Sequence, residues 1–216
     1  MLAAGAAWFL WPRKAQASSR RLAPVASTPE TLALVFAAPY AGDPIKEGIV
    51  LRAAAAGLDP AIALATAHHE SNFNFEAYRA EPSFYDRRIA PQLDRFRGLV
   101  PERVLTDRNA WGSYGIGQVL LSTAIEQHGF RGDPGRLFES DLGIQLMVAH
   151  LVGLVDRYGG NLADVFAAYN SGQPLARAPA VTRDTYVPRS LSLFDRYRRE
   201  LEAVDFYARW EAFARA

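Results

Sequence analysis

From residue 30 onward the apolar positions recur every three or four residues, which predicts a run of helices. In "DPIKEGIVLRAAAAG" (43–57), Asp43 supplies an N-cap, Pro44 the first helical position and Gly57 the stop. The next segment repeats that grammar. Asp59 caps, Pro60 starts, and Ile62, Leu64, Ala65 and Ala67 form an apolar face, predicting a helix over 60–71. Further helices are predicted over 118–128, over 140–158, where Ile144, Met147, Leu151, Val155 and Tyr158 keep the spacing, and over 161–170. "PETLALVFAAPY" (29–40) is a shorter candidate. Leu191, Phe194, Tyr197, Leu201, Val204, Tyr207 and Trp210 form a stripe that predicts one long helix over 188–214, facing either the core or a partner. Between 72 and 113, "EPSF", "APQ" and "VPERV" break the pattern and leave room for short helices near 84–96 and 101–106. Strong period-two runs are missing, so strand is expected only as a small β-hairpin within 72–117. The fold class is mostly α (α+β): a helical lobe, a small β-hairpin and a long C-terminal helix.

The beginning of the chain departs from this pattern. "MLAAGAAWFLW" is apolar for eleven residues, short of the roughly 20 a membrane-spanning helix needs. "AQA" (15–17) is a small-residue site of the kind found in secretory signals, but the basic "PRK" follows the apolar run. A signal, an anchor, a helix docked on a partner and a frayed tail all fit. "QASSRRLAPVASTPE" (16–30) reads as a linker. The chain therefore divides into an apolar segment plus linker (1–29), a main domain (30–190) and a C-terminal helix (191–216). The net charge of +1 gives no basic field for nucleic acid. The lack of cysteine excludes disulfides, thiol nucleophiles and thiolate metal sites.

"HHESNF" (68–73) places five polar residues at the end of an otherwise apolar helix. Glu70 falls in the last turn, where the negative end of the helix dipole and an apolar surround both favour the neutral carboxyl. A carboxyl kept protonated near neutrality suits a general acid. Taken alone, Glu70 reads more readily as a solvated helix-end residue, or as one paired with an Arg. His68 and His69 are adjacent, not four apart as two imidazoles on one helix face must be, and His128 and His150 stand alone in the sequence. The histidines are therefore expected in packing and groove lining, with no metal and no cofactor. A nucleophile elbow is absent, and "YGIGQ" lacks the context of a phosphate loop.

Three motifs in order change the standing of Glu70: "ESNFN" (70–74), "GSYGIGQV" (112–119) and "AYNSG" (168–172). With "TYVPRSL" (185–191) as a fourth, they resemble the signature of lytic transglycosylases of the soluble (SLT) type, in the lysozyme-like superfamily, over about residues 45–195. The resemblance implies a lysozyme-like fold and peptidoglycan as substrate. It makes Glu70 the single catalytic acid and base, with Ser71 beside it in the groove. Gly115, Ile116 and Gln118 would shape the saccharide cleft, with Gln118 bonding sugar. Tyr169 would bring its hydroxyl near the Glu70 carboxyl, Asn170 would hold neighbouring backbone or an N-acetyl group, and Tyr186 would line the groove.

One carboxyl suffices for the reaction that the resemblance implies. A glycosidase needs a second carboxylate as nucleophile or as base for water. A lytic transglycosylase closes a 1,6-anhydro ring instead and needs no water. Several positions depart from the family pattern: Phe75 and Arg79 stand where Pro and often Ser occur, and Gly117 replaces the usual Met, leaving more room or a different groove floor. The Arg-rich stretch 79–110 lengthens the spacing and resembles phage and prophage wall enzymes. It fits equally as a cover for the cleft that meets peptide or carboxylate groups of the wall polymer and as a helical insertion packed on the lobe. Its Asp86 and Asp94 keep open a lysozyme-like muramidase that uses water, and a non-catalytic structural protein of a virion or envelope complex is a further alternative. The expected location is the cell envelope or periplasm, or a virion, with residues 1–25 or the C-terminal helix as the contact to membrane or partner.

Overall fold

The structure, a computed structural model, describes residues 40–214. Helices α1 (Pro44–Ala55) and α2 (Pro60–Ser71) begin as their caps dictate. Asp43 accepts from the Lys46 amide at 3.1 Å and Asp59 from the Ala61 amide at 3.0 Å. Every residue of α2 from Pro60 to Ala67 is buried, so this helix is the axis of the core. It stops at Asn72, whose φ of 52° is left-handed.

Three two-residue strands follow: β1 (Tyr78–Arg79), β2 (Ser113–Tyr114) and β3 (Val119–Leu120). They form one antiparallel sheet in the order β1-β2-β3, with Tyr78 opposite Tyr114 and Ser113 opposite Leu120. The hairpin expected within 72–117 thus gains a third strand, cut from the start of the helix predicted at 118–128. That helix, α3, covers Leu121–His128.

The stretch between β1 and β2 folds into short turns. A helical turn at Pro82–Phe84 runs into a π turn (Tyr85–Ile89) and a 3₁₀ segment (Ala90–Phe96), and Glu102–Thr106 is a short helix. Their buried side chains join the common core. Trp111 packs edge-on against Phe96 at 4.7 Å between centroids and donates its indole N–H to the Val104 carbonyl, while Tyr85 bonds the Leu105 carbonyl at 3.0 Å.

Helices α4 (Ser140–Arg157) and α5 (Leu162–Ser171) lie where the three-four pattern put them. A π turn at Thr182–Tyr186 leads into the long C-terminal helix α6 (Val187–Glu202), and α7 (Phe206–Ala214) follows. The stripe predicted as one helix over 188–214 is interrupted at 203–205, where Asp205 takes a left-handed φ of 55°. The stripe faces the core: Phe194, Tyr197, Leu201 and Trp210 are buried, Leu191, Val204 and Tyr207 pack against them partly buried, and α6 packs along α2. The helix candidate at 29–40 and the segment 1–29 lie outside the described residues, apart from Tyr40. Among the described residues no helix is long and apolar enough to cross a membrane.

Candidate active site

The last turn of α2 presents Glu70 to an open groove of 780 Å³. One wall comes from β1 and the stretch after it, with Arg79, Glu81 and Arg88. The other comes from α3 and α4, with His128, His150 and Arg157. Burial, the largest influence, pushes the Glu70 carboxyl up to about 7 from an ordinary 4.5; a hydrogen bond from Tyr186 and the charge of Arg79 pull the other way. Of the two influences expected from the sequence, the apolar surround and the helix dipole, it is the apolar surround that acts here as loss of solvent.

The hydroxyl that donates to Glu70 Oε1 belongs to Tyr186. Tyr186 sits at the end of the π turn, buried behind the carboxyl, and does not line the groove as expected. Its ring stacks on His69 at 4.1 Å with 15° between planes. Burial and the neighbouring Glu70 charge hold its own ionisation well above the usual phenol value, so it remains a donor. The Tyr169 hydroxyl, expected at the carboxyl, donates instead to the Gly117 carbonyl at 2.6 Å, although Tyr169 is near enough for the charge of Glu70 to raise its pKa.

The loop 115–118 is built by the residues expected to touch sugar. Gly115 has φ +67°, its amide donates to the Ala77 carbonyl at 2.8 Å, and a Cβ there would lie 2.6 Å from the Leu137 carbonyl oxygen. Ile116 is fully buried. Gly115 and Ile116 therefore shape the cleft from behind and do not line it. Ser71 likewise turns away from the groove, donating to the Ile116 carbonyl at 2.8 Å and tying α2 to the loop. Gln118 and Asn170 do line the groove. Gln118 Nε2 donates to the Ala77 and Gly115 carbonyls at 3.0 and 3.1 Å, and Asn170 Oδ1 accepts from Thr182 at 2.7 Å, linking α5 to the π turn. The room expected beside Gly117 is filled: a Cβ there would meet Met147 Cβ at 2.7 Å and the Tyr169 hydroxyl at 2.9 Å.

His68 and His69 are packing residues, bonded through Nδ1 to Tyr197 Oη at 2.7 Å and to Ser190 Oγ at 2.8 Å. His128 and His150, which stand alone in the sequence, meet on the groove wall with their rings perpendicular and 5.7 Å apart. Among the described residues no group of three or more His, Cys, Asp and Glu could hold a metal ion. Asp86 and Asp94 do not line the groove; Asp86 pairs with Arg108, and Asp94 is exposed beside Arg97. The groove's second carboxylate is Glu81, 2.7 Å from Arg79 Nε. The sequence reading missed Glu81 and missed that Tyr186, not Tyr169, reaches the carboxyl. For Tyr186 the one available signal was its place in "TYVPRSL", just ahead of a helix that packs on α2.

A family model described as the transglycosylase SLT domain matches residues 49–180. That span holds Glu70, the 115–118 loop and Tyr169–Asn170, and ends before Tyr186. No curated protein and no solved structure matches the chain.

Proposed function

We propose, from the premise that the chain belongs to the transglycosylase SLT family of peptidoglycan-cleaving enzymes, that it cuts the β-1,4 bond between N-acetylmuramic acid and N-acetylglucosamine and leaves a 1,6-anhydro end, with Glu70 as the one acid and base. The observation that carries this reading is the desolvated Glu70 carboxyl at the groove, bonded by Tyr186, with burial pushing its pKa up to about 7.

Protonated Glu70 gives its proton to the linking oxygen as the glycosidic bond breaks. The substrate's own N-acetyl group stabilises the cationic carbon. The Tyr186 hydroxyl steadies the carboxylate that Glu70 becomes, since charge is best stabilised by a donor already in place. That carboxylate takes the proton of the muramic C6 hydroxyl, whose oxygen closes the anhydro ring. Glu70 ends as it began, and no water enters. Gln118 has its amide hydrogens engaged by two carbonyls, so its Oε1 is what it offers a sugar N–H or O–H. The substrate places the protein's work in the cell envelope.

A second reading rests on Glu81. It lines the same groove and, released from Arg79, is a base for water, which would give a muramidase. To test the assignment, purified sacculi are incubated with wild type, Glu70→Gln and Glu81→Gln, and soluble fragments are quantified. The proposed chemistry expects Glu70→Gln to be inactive and Glu81→Gln to retain turnover. Loss of turnover in Glu81→Gln with unchanged binding would favour the muramidase.

A further inference from the structure

The glycan chain of the wall polymer is uncharged. Its charge lies in the carboxylates of the short peptides that hang from the muramic residues. The groove is lined by three guanidinium groups, Arg79, Arg88 and Arg157, and by two carboxyls, Glu70 and Glu81. Arg79 is matched, since its Nε donates to Glu81 Oε1 at 2.7 Å. Glu70 is desolvated, which disfavours its charge. Among the described residues no carboxylate pairs with Arg88 or Arg157. The groove therefore holds two positive charges without a partner.

The arginines of the long stretch between β1 and β2 are mostly spent on holding it together. Arg95, Arg97, Arg103 and Arg108 pair with Glu126, Glu102, Asp133 and Asp86. Arg88 belongs to the same stretch and lines the groove instead. It sits in the π turn Tyr85–Ile89, which the buried Tyr85 and Ile89 pin to the core. Arg157 ends α4, whose last turn is held by the buried Leu154 and Val155. Two elements distant along the chain thus each bring one guanidinium to the same space. Arg79 is the groove arginine whose charge acts on Glu70, so the other two stand further from the bond to be cut.

We propose that Arg88 and Arg157 make the groove selective for glycan whose peptides carry free carboxylates, each guanidinium taking a carboxylate of a stem peptide while Glu70 meets the sugar bond. A guanidinium presents a planar fork that fits a carboxylate with two parallel bonds, and it is more weakly hydrated than an ammonium. Charges of one sign along a cleft also raise the local concentration of an oppositely charged ligand. The two arginines act on the binding and register of the substrate and take no part in breaking the bond. The inference rests on the groove being the one that receives the glycan, as proposed above, and is the same whether an anhydro or a reducing end results.

The test uses the full chain carrying Glu70→Gln, so that the ligand is not consumed, and three soluble glycan preparations of one length. One keeps its native peptides, one has the peptide carboxyls converted to amides, and one has the peptides removed. Calorimetric titration at low salt gives the affinities. The native preparation is expected to bind roughly tenfold more tightly than either of the others, and the advantage should shrink towards nothing at about 0.5 M salt. Arg88→Gln and Arg157→Gln are each expected to lose about threefold of it, and the two together nearly all of it. Equal affinity for native and amidated glycan overturns the inference. So does a preference that survives in the double variant, because the peptides would then be read by shape or by other residues. Native against amidated glycan needs no arginine variant, so that comparison decides even if a variant fails to fold. A chain that binds none of the three sinks the reading of the groove as a glycan site, and this inference with it. A wild type that shows the preference but releases no wall fragments sinks the proposed reaction alone.

Discussion

At the scale of single residues, Glu70 is placed at the expense of stability. Its carboxyl titrates at about 7 in the fold against an ordinary 4.5, so the folded state binds the proton more tightly than the unfolded chain does. The stabilisation from that proton is fully present below the ordinary value and is lost as pH rises through about 7. The difference corresponds to about 3 kcal/mol. Glu70→Gln, which keeps the shape without the charge, is therefore expected to melt higher than wild type above pH 7 and close to it near pH 4.5, as thermal unfolding followed by circular dichroism would show. An unchanged melting temperature at alkaline pH would mean that Glu70 is not desolvated as described. Catalysis should follow the same proton: the rate falls as pH rises through about 7, because the acid form begins the reaction. Tyr186→Phe removes the donor at the carboxylate and is expected to lower the initial rate of fragment release by roughly 10²-fold while leaving the fold intact. A rate within a few-fold of wild type would remove Tyr186 from the mechanism.

At the scale of elements, the sequence was most readable where structure is local. The Asp-Pro starts of α1 and α2 and the three-four spacing of α4 need only neighbouring residues, and those helices lie where the pattern put them. Strand β3 was hidden because two residues carry no period, although its pairing with β2 is local; it is β1 that pairs with residues distant along the chain. The break after α6 was hidden for a different reason: the apolar stripe runs through it unbroken, and Asp205 takes a glycine-like φ without being glycine. The placement of Glu70 at a groove was legible, and its hydrogen-bond partner was not. Both Tyr169 and Tyr186 stand in family-like motifs, and which one reaches the carboxyl depends on how α6 and the π turn pack on α2. The 115–118 loop yields a prediction at this scale. Gly117→Ala would press a methyl on Met147 and on the Tyr169 hydroxyl that holds the loop, and is expected to cost about 1–3 kcal/mol in urea unfolding and to lower activity as well. Wild-type stability in that variant would show that the loop can shift freely.

Across the whole molecule, the two C-terminal helices brace the site from behind. Tyr207 of α7 donates to Asp59, the cap of α2, at 2.8 Å, and Trp210 and Phe206 are fully buried. Glu70 therefore lies at one end of α2 and Tyr186 just ahead of α6, while α7 ties back to the other end of α2. Trp210→Ala is expected to cost about 3–5 kcal/mol, the range for deleting a buried aromatic, measured by denaturant unfolding. A change below 1 kcal/mol would mean that α7 is not part of the core. The groove between the two walls holds one carboxyl free of an ion pair, Glu70, and one tied to Arg79, Glu81, and the proposed mechanism needs only the first. The most direct measurement of that claim is the mass of the muramic acid ends released from purified peptidoglycan. The account predicts 1,6-anhydro ends, lighter by one water than reducing ends, and their disappearance with Glu70→Gln. Reducing ends from the wild-type protein, or anhydro ends still released by Glu70→Gln, would contradict it.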